Sequence, residues 1–181
     1  MTRTTTRRGF LALGLAATTG LALAGSTQPA SAATVTVGGL QFDVPDDVRP
    51  APDLPELGGP SWQWRGVRGA PTGPEGFMVV LARADLASTD GSEVVGLLLS
   101  EGLAGHLPGL VVESRRSRSM PGGGEQLRLD LGYGVAPRRR RGTVLVAARD
   151  RPSAAVLVVL GDDSLTAGDL SGVLDSARWA S

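Results

Sequence analysis

The residues with the clearest capacity for chemistry are four consecutive arginines, Arg138, Arg139, Arg140 and Arg141. Four adjacent guanidinium groups repel one another unless water or bound anions surround them. Guanidinium groups also bind phosphates and carboxylates through paired hydrogen bonds. The run therefore predicts either a solvated connection between strands or a contact for an anionic envelope component, such as a phosphate-bearing polymer or a lipid headgroup, or for an acidic protein partner.

Two further groups could contribute to such a contact. Arg115, Arg116 and Arg118 end a predicted strand in the same region of the chain, so we expect them near the arginine run. Trp62 and Trp64 alternate with polar residues, which predicts that both lie on one face of a strand. That face is either part of the core or an exposed platform for a ligand.

The patterns expected of an enzyme are weak in this sequence. His106 is the single histidine, so a Ser-His-Asp triad would require it, but the chain has no G-x-S-x-G motif and no second histidine for a typical metal site. Asp162 and Asp163 are better explained as residues that start a helix. Gly122 to Gly124 precede Glu125 rather than the Lys-Ser/Thr of a phosphate loop. We therefore predict no catalytic residue, no metal ligand and no cofactor.

The N-terminal 32 residues have the features of a twin-arginine export signal. Arg7 and Arg8 stand before Gly9-Phe10-Leu11, and an uncharged stretch leads to the small residues Ala30-Ser31-Ala32. This pattern predicts transport by the twin-arginine translocase, cleavage after Ala32 and a secreted or extracytoplasmic protein. An uncleaved anchor is the alternative, because the chain carries no charge between Arg8 and Gln41.

The remaining residues, 33–181, are expected to form a single domain. Cleavage removes three arginines and no acid, which leaves 15 arginines against 18 acidic residues and a formal charge of −3. That charge argues against a general nucleic-acid binder. The chain has no cysteine, which excludes disulfides, thiolate metal sites and a lipid-bearing cysteine. No stable membrane span is expected after cleavage.

The elements that must position these residues are organised around a predicted β-hairpin within residues 142–161. Its arms, Thr143 to Arg149 and Ala154 to Leu160, are apolar on both faces, so each face needs cover. A second hairpin is predicted from Thr34 to Val37 and from Leu40 to Val44, around Gly38-Gly39.

Two amphipathic helices are predicted to supply the cover. The first spans residues 91–105 and starts at a capping box, in which Asp90 is the N-cap and Glu93 reaches back to it. The second spans residues 166–178, with Leu170, Val173 and Leu174 on its apolar stripe. We therefore predict an α+β fold, an antiparallel sheet with helices packed on its faces, although the N-terminal hairpin with the two tryptophans could cover part of one face instead.

The order of elements resembles the PsbP-like α/β/α sandwich family, which includes secreted actinobacterial proteins of the LpqN type. The resemblance is carried by an opening strand that ends in Phe42-Asp43-Val44-Pro45, a helix in mid-chain, three antiparallel strands and a closing helix with Val173-Leu174-Asp175-Ser176. It implies a PsbP-like domain over residues 33–181 that binds or assists other molecules without a catalytic site. None of the family's functional residues is matched in this chain.

Together these observations predict a secreted, non-enzymatic binding or accessory domain that acts in the cell envelope or outside the cell. The alternative is a small extracellular hydrolase that uses carboxylates or a serine with His106. The expected contact residues are Arg138 to Arg141 with Trp62 and Trp64.

Overall fold

The computed structural model describes residues 32–53, 62–70, 76–88, 90–99, 109–121, 123–134, 140–149 and 153–180. Ten strands and two helices occur within these ranges. Their bounds are β1 Ala32–Val37, β2 Leu40–Pro45, β3 Arg49–Pro50, β4 Trp64–Arg68, β5 Met78–Leu86, α1 Gly91–Leu98, β6 Val111–Ser119, β7 Glu125–Tyr133, β8 Arg140–Ala148, β9 Ala154–Gly161, α2 Ala167–Asp175 and β10 Arg178–Trp179.

The strands form two antiparallel sheets. The larger sheet has seven strands in the order β3-β4-β5-β9-β8-β7-β6, and the smaller sheet has three in the order β1-β2-β10. Consecutive strands β6 to β9 are therefore neighbours, and β6 and β3 form the two edges of the larger sheet.

The predicted central hairpin is confirmed as β8 and β9. The two strands pair from Arg141 opposite Gly161 to Ala148 opposite Ala154, and every residue of β9 is buried. Alternation along β9 sends Leu157 to one face of the sheet and Val156 to the other. The hairpin thus needs cover on both sides, as its composition indicates.

We call the side of the large sheet that carries Leu157 face A, and the side that carries Val156 face B. On face A, the core receives buried side chains from the smaller sheet and from α2: Leu40, Phe42, Val44, Leu170, Val173 and Leu174. On face B, α1 contributes the buried Val94, and the rest of the core comes mainly from the strands.

The prediction of an α+β fold with helices packed on the faces of the sheet is wrong. The structure is mostly antiparallel β-sheet, a β-rich fold, with two helices of eight and nine residues in the described chain. A helix of this length is about 12 to 14 Å long, whereas seven strands span about 29 Å. Helices this short cannot cover the whole sheet. On face A, the smaller sheet covers part of what α2 does not.

The helix starts differ in their capping. Asp90 accepts a hydrogen bond from the Ser92 amide at 2.7 Å, as expected of an N-cap. The predicted return contact from Glu93 is wrong, because the Glu93 carboxylate accepts instead from the Ser88 hydroxyl at 2.8 Å, and the Asp90 amide donates to that hydroxyl at 3.0 Å. A complete capping box occurs at α2, between Thr166 and Asp169.

Trp62 and Trp64 do not share a face, so that prediction is also wrong. Strand β4 begins at Trp64, which leaves Trp62 outside the strict alternation of the strand. Trp64 packs on face A, where its ring meets Phe42 edge to face with the centroids 5.7 Å apart, and Trp62 packs on face B.

The end of the chain forms a short strand that the sequence pattern did not indicate. The predicted terminal helix stops at Asp175, and Arg178 and Trp179 then pair with β2. The Arg149 guanidinium lies 4.1 Å from the centroid of the Trp179 ring, and the Ala180 amide donates to the Gly39 carbonyl at 2.7 Å. These contacts tie the end of the chain to both sheets.

Candidate anion-binding groove

Charged and polar side chains replace apolar ones on face A where β6, β7 and β8 approach the edge of the large sheet. Pairing places Arg116 of β6 opposite Arg128 of β7, and it aligns Ser114, Asp130 and Thr143 across the three strands. The alternation of Gln126, Arg128 and Asp130 with Leu127, Leu129 and Leu131 puts the polar residues of β7 on this face. The alternation of side chains between the two faces of the sheet, which forms the core elsewhere, therefore forms a polar patch here.

This patch is the floor of a groove whose wall is formed by α2. The groove has a volume of about 580 Å³, and Gly168, Ser171 and Asp175 of α2 line it together with the three strands. Four arginines line the same space: Arg116, Arg118, Arg128 and Arg141. We call this space the arginine groove.

The arginine groove carries an excess of positive charge. Its lining includes three carboxylates, those of Glu113, Asp130 and Asp175, against the four guanidinium groups. One unit of positive charge therefore remains among the lining residues. A net positive charge in a cleft favours anions over cations.

Asp130 is the central acid on the floor of the arginine groove. Its carboxylate accepts hydrogen bonds from Ser114 at 2.6 Å, from Arg116 and from Thr143 at 3.4 Å, and the Nε of Arg128 lies 3.7 Å away. Burial raises the pKa of Asp130, but the hydrogen bonds from Ser114 and Arg116 and the charges of Arg116 and Arg128 outweigh burial, so the pKa falls below its usual value. Asp130 is therefore ionised at neutral pH.

Asp175 at the end of α2 is shared by two arginines. One of its oxygens lies 3.0 Å from the Arg128 guanidinium and 3.2 Å from that of Arg118. A carboxylate held between two guanidinium groups marks the position that an anion takes in such a cluster. About half of the Asp175 side chain, 49%, is nevertheless exposed, so solvent and solutes reach this position.

Arg141 differs from the other three arginines of the groove. Its side chain is exposed, and within the described residues it has no ion pair and no side-chain hydrogen bond. Among the four, Arg141 is thus the one whose guanidinium is not engaged by the described residues.

The predicted run Arg138 to Arg141 is split by the structure. Arg138 and Arg139 lie outside the described residues, and Arg140 and Arg141 are successive residues of β8, so they point to opposite faces. Arg140 pairs opposite Tyr133 of β7. The Tyr133 hydroxyl donates a hydrogen bond to the Gly161 carbonyl at 3.1 Å. Burial raises the pKa of Tyr133 to about 12, even though the charge of Arg140 acts in the opposite direction. Of the run, Arg141 is the residue seen in the groove.

Of the three arginines of β6 that were expected near the arginine run, two lie close to Arg141. Arg116 and Arg118 line the groove together with Arg141. Arg115 lies on face B, where its guanidinium donates to the Ser92 hydroxyl at 2.6 Å. Arg115 is separated from Arg116 and Arg118 because successive side chains of a strand point to opposite faces of the sheet.

The remaining candidates that the structure describes do not line the groove. Asp162 accepts from the Phe77 amide at 3.1 Å and from the Ser164 amide at 3.0 Å, so it organises the turn before α2, whose N-cap is Thr166. Trp62 and Trp64 pack on opposite faces, away from each other. Arg7, Arg8 and His106 lie outside the described residues.

Four charged groove residues were not singled out as site candidates from the sequence: Glu113, Arg128, Asp130 and Asp175. The alternation within β7 marks Arg128 as lying on the polar side of its strand, but it does not say what faces that side. Asp175 comes from a helix 47 residues further along the chain than Arg128, so no local pattern joins them. Recognising these groove residues requires the pairing of the strands and the position of α2, which the sequence alone does not give.

The lining suits binding of an anion more directly than metal chemistry or proton donation. The described residues contain no cluster of three or more side chains that could hold a metal ion. Neither described helix has the length and hydrophobicity of a membrane span. The pKa of Asp130 is lowered, which makes this carboxyl a poor proton donor near neutral pH.

Comparison with solved structures finds several similar chains, two of which are given below. One is LpqN, involved in cell envelope biogenesis of Mycobacterium tuberculosis, with 17% identity over 83% of this chain and 91% of that chain and a TM-score of 0.49. Another is PA94 of Pseudomonas aeruginosa, of unknown function, with 16% identity over 77% and 86% of the two chains and a TM-score of 0.38. The chain matches no protein-family model and no curated protein. Membership of the PsbP-like family therefore stays a prediction.

Proposed function

We propose that this protein is a non-enzymatic binding module that holds an anionic group of a larger ligand in the arginine groove. The groove recognises phosphate or carboxylate, because planar guanidinium groups bind both with paired hydrogen bonds. The protein acts in the cell envelope or outside the cell, a setting that rests on the export signal predicted around Arg7 and Arg8.

The observation that carries the proposal is the state of Arg141. It is exposed in a groove where three neighbouring arginines already bind Asp130 or Asp175, and it has no partner of its own in the described chain. An incoming anion can bind this guanidinium without first displacing a carboxylate. The neighbouring Arg118, 58% exposed, supplies a second cation after only a small movement of its side chain.

The surrounding structure supports a passive binding role. The floor of the groove consists of paired strands, and the side chains of Asp130, Ser114 and Thr143 are joined by hydrogen bonds. Such a network holds Arg116 and Arg128 in place before the ligand arrives, which reduces the entropy lost on binding. The hydrolase that the sequence left as an alternative gains no support from these carboxylates, because they are engaged with arginines.

The test is a calorimetric titration at low ionic strength with two probes, inorganic pyrophosphate and citrate. Arg141→Ser is compared with Arg49→Ser, which removes the same charge from an exposed residue of β3 at the opposite edge of the sheet. Loss of a charge-assisted hydrogen bond predicts binding about tenfold weaker in Arg141→Ser, whereas Arg49→Ser binds like the parent protein. The relative affinities of the two probes identify the preferred anion.

Two outcomes would overturn the proposal. One is the absence of binding of both probes to the parent protein. The other is an equal loss of affinity in Arg141→Ser and Arg49→Ser, which would mean that net charge rather than the groove attracts the probes. Circular dichroism of both variants confirms that the fold is retained.

A further inference from the structure

Strand β6 presents an edge to which another strand could pair. It has nine residues and pairs with β7 on one side, and in the described part of the chain no strand pairs with its other side. Almost all of its residues are exposed. An edge of this kind carries a row of backbone N–H and C=O groups available to a further strand.

The side chains of β6 determine what kind of strand fits this edge. The strand carries Arg115, Arg116 and Arg118 against a single acid, Glu113, so its net charge is strongly positive for its length. Side chains directly opposite each other on paired strands lie about 4.5 to 5.5 Å apart. A segment with acidic residues at alternate positions therefore places carboxylates beside Arg116 and Arg118.

A second copy of β6 is a poor occupant. Antiparallel pairing of residues 114–119 with the same residues of another copy places Arg115 opposite Arg118. Like charges that face each other across strands are destabilising. The charge pattern discourages pairing between copies and selects a partner of opposite charge.

The usable part of the edge is its second half. Pairing with β7 is irregular between Val112 and Ser114 and regular from Ser114 to Ser119. Before the irregularity, Val111 and Val112 are 47% and 42% exposed, the exposed large hydrophobic residues of the described chain. A partner therefore pairs along six residues and has an apolar contact available at one end.

We propose that β6 is the docking edge for an extended acidic peptide segment of a partner protein, which adds to the large sheet as an eighth strand. Backbone pairing along Ser114–Ser119 holds the segment, and its alternate carboxylates enter the arginine groove at Arg116 and Arg118. This inference rests on the proposed function, because it names the ligand of the same groove. Main-chain hydrogen bonds supply affinity, and the arginines supply selectivity.

The probe is a capped peptide of about eight residues that alternates Glu and Thr, long enough for the regular part of the edge. Three control peptides separate charge from strand pairing. One alternates Gln and Thr, and two retain Glu but carry a methyl group on every second backbone nitrogen, in opposite phases. We expect the Gln peptide and at least one methylated peptide to bind about tenfold more weakly than the Glu peptide.

Two protein variants on the same strand locate the contact. Arg118→Ser removes a guanidinium from the groove, and Arg115→Ser removes the same charge from face B. The first variant should weaken binding of the Glu peptide severalfold more than the second. Amide hydrogen exchange adds a structural measure, because the Glu peptide should slow exchange in residues 114–119 and pyrophosphate should not.

The outcomes distinguish this inference from the function on which it rests. If both methylated peptides bind as tightly as the Glu peptide, or if exchange in β6 is unchanged, strand addition is wrong. If pyrophosphate binding depends on Arg141 while no peptide binds, the groove is an anion site and the inference alone fails. If neither probe binds, both fail.

Discussion

The two halves of face A differ although they belong to one sheet. Beneath the smaller sheet and α2, the strands present apolar residues such as Val80 and Leu157, which are fully buried. At the other end, β6 and β7 present Arg116 and Arg128 opposite each other. The same alternation of side chains builds both halves, so the difference lies in what covers them.

Helix α2 forms the boundary between the halves. Its Leu170, Val173 and Leu174 are buried in the core, whereas its Ser171 and Asp175 line the arginine groove. One short helix therefore stabilises the apolar half and shapes the polar half. The scaffold and the candidate site therefore differ in what covers them and not in the type of element. Substitutions in the two halves should have different effects.

The largest expected effect is on stability in the covered half. Phe42 is fully buried and packs edge to face with Trp64. Phe42→Ala should lower the free energy of unfolding by about 3 to 5 kcal/mol, because it removes buried apolar surface and leaves a cavity. Urea titration followed by circular dichroism measures the change.

Val111→Ala is the control for Phe42→Ala, because it truncates an apolar side chain that is 47% exposed and lies on face A of β6, opposite Gly132. We expect its effect on unfolding to stay within about 0.5 kcal/mol. Equal costs for the two variants would contradict the assignment of a scaffold half and an exposed half.

A smaller loss of stability is expected on the floor of the groove. Asp130→Asn keeps the shape of the side chain but removes the charge that Arg116 and Arg128 face. Because Arg128 is only 19% exposed, its charge is partly desolvated, and we expect a cost of about 1 to 2 kcal/mol in urea titrations. A stability equal to that of the parent protein would show that these pairs contribute nothing, as many surface pairs do.

Two carboxylates, those of Asp43 and Asp130, should make the stability of the protein depend on pH. The pKa values of Asp43 and Asp130 are lowered in the folded protein, Asp43 first by the hydrogen bond from Thr34 and Asp130 by the net effect described above. Each carboxylate therefore contributes stability that is fully present above its unfolded pKa, near 3.8, and is lost as the pH falls through the lower folded value.

Stability measured from pH 5 downward should thus decline below about pH 4 in the parent protein. The decline should be shallower in Asp130→Asn and in Asp43→Asn, each of which removes one of the two groups. Parallel curves for the parent protein and both variants would show that other carboxylates cause the acid sensitivity.

The smallest effect concerns the affinity of the groove. Asp175 pairs with Arg118 and Arg128, and Arg128 also pairs with Asp130. Asp175→Asn should therefore make Arg118 available and strengthen pyrophosphate binding by about two- to fivefold, the range of an exposed ion pair. Asp53→Asn removes the same charge from an exposed position that does not line the groove, and it should leave affinity unchanged. Weaker binding in Asp175→Asn would mean that Asp175 positions the arginines instead of competing with the ligand.

The sequence predicted the elements that depend on local pattern. The β8–β9 hairpin, the β1–β2 hairpin and the apolar stripe of α2 all follow from spacing along a single segment, and the structure confirms them. The alternative that the N-terminal hairpin covers part of one face is confirmed on face A. The pairing of β10 with that hairpin was missed because a strand of two residues carries little periodicity of its own.

The candidate site was harder to predict because its residues are distant in sequence. Arg118 and Asp175 are 57 residues apart and meet only once β6 and α2 are placed. The run of arginines attracted attention as a cluster, yet a strand turns consecutive residues to opposite faces, so Arg140 and Arg141 separate. Clustering in sequence is a poor guide to clustering in space where the chain is extended.

If anions bind at the uncovered half of face A, nuclear magnetic resonance of the arginine side chains should locate them there. The Nε–H resonances of the protein are followed during titration with pyrophosphate. We expect the resonances of Arg116, Arg118, Arg128 and Arg141 to shift together with one dissociation constant, while those of Arg49 and Arg68 stay in place. Shifts spread evenly over all the arginines, or no shifts in the groove, would contradict this expectation.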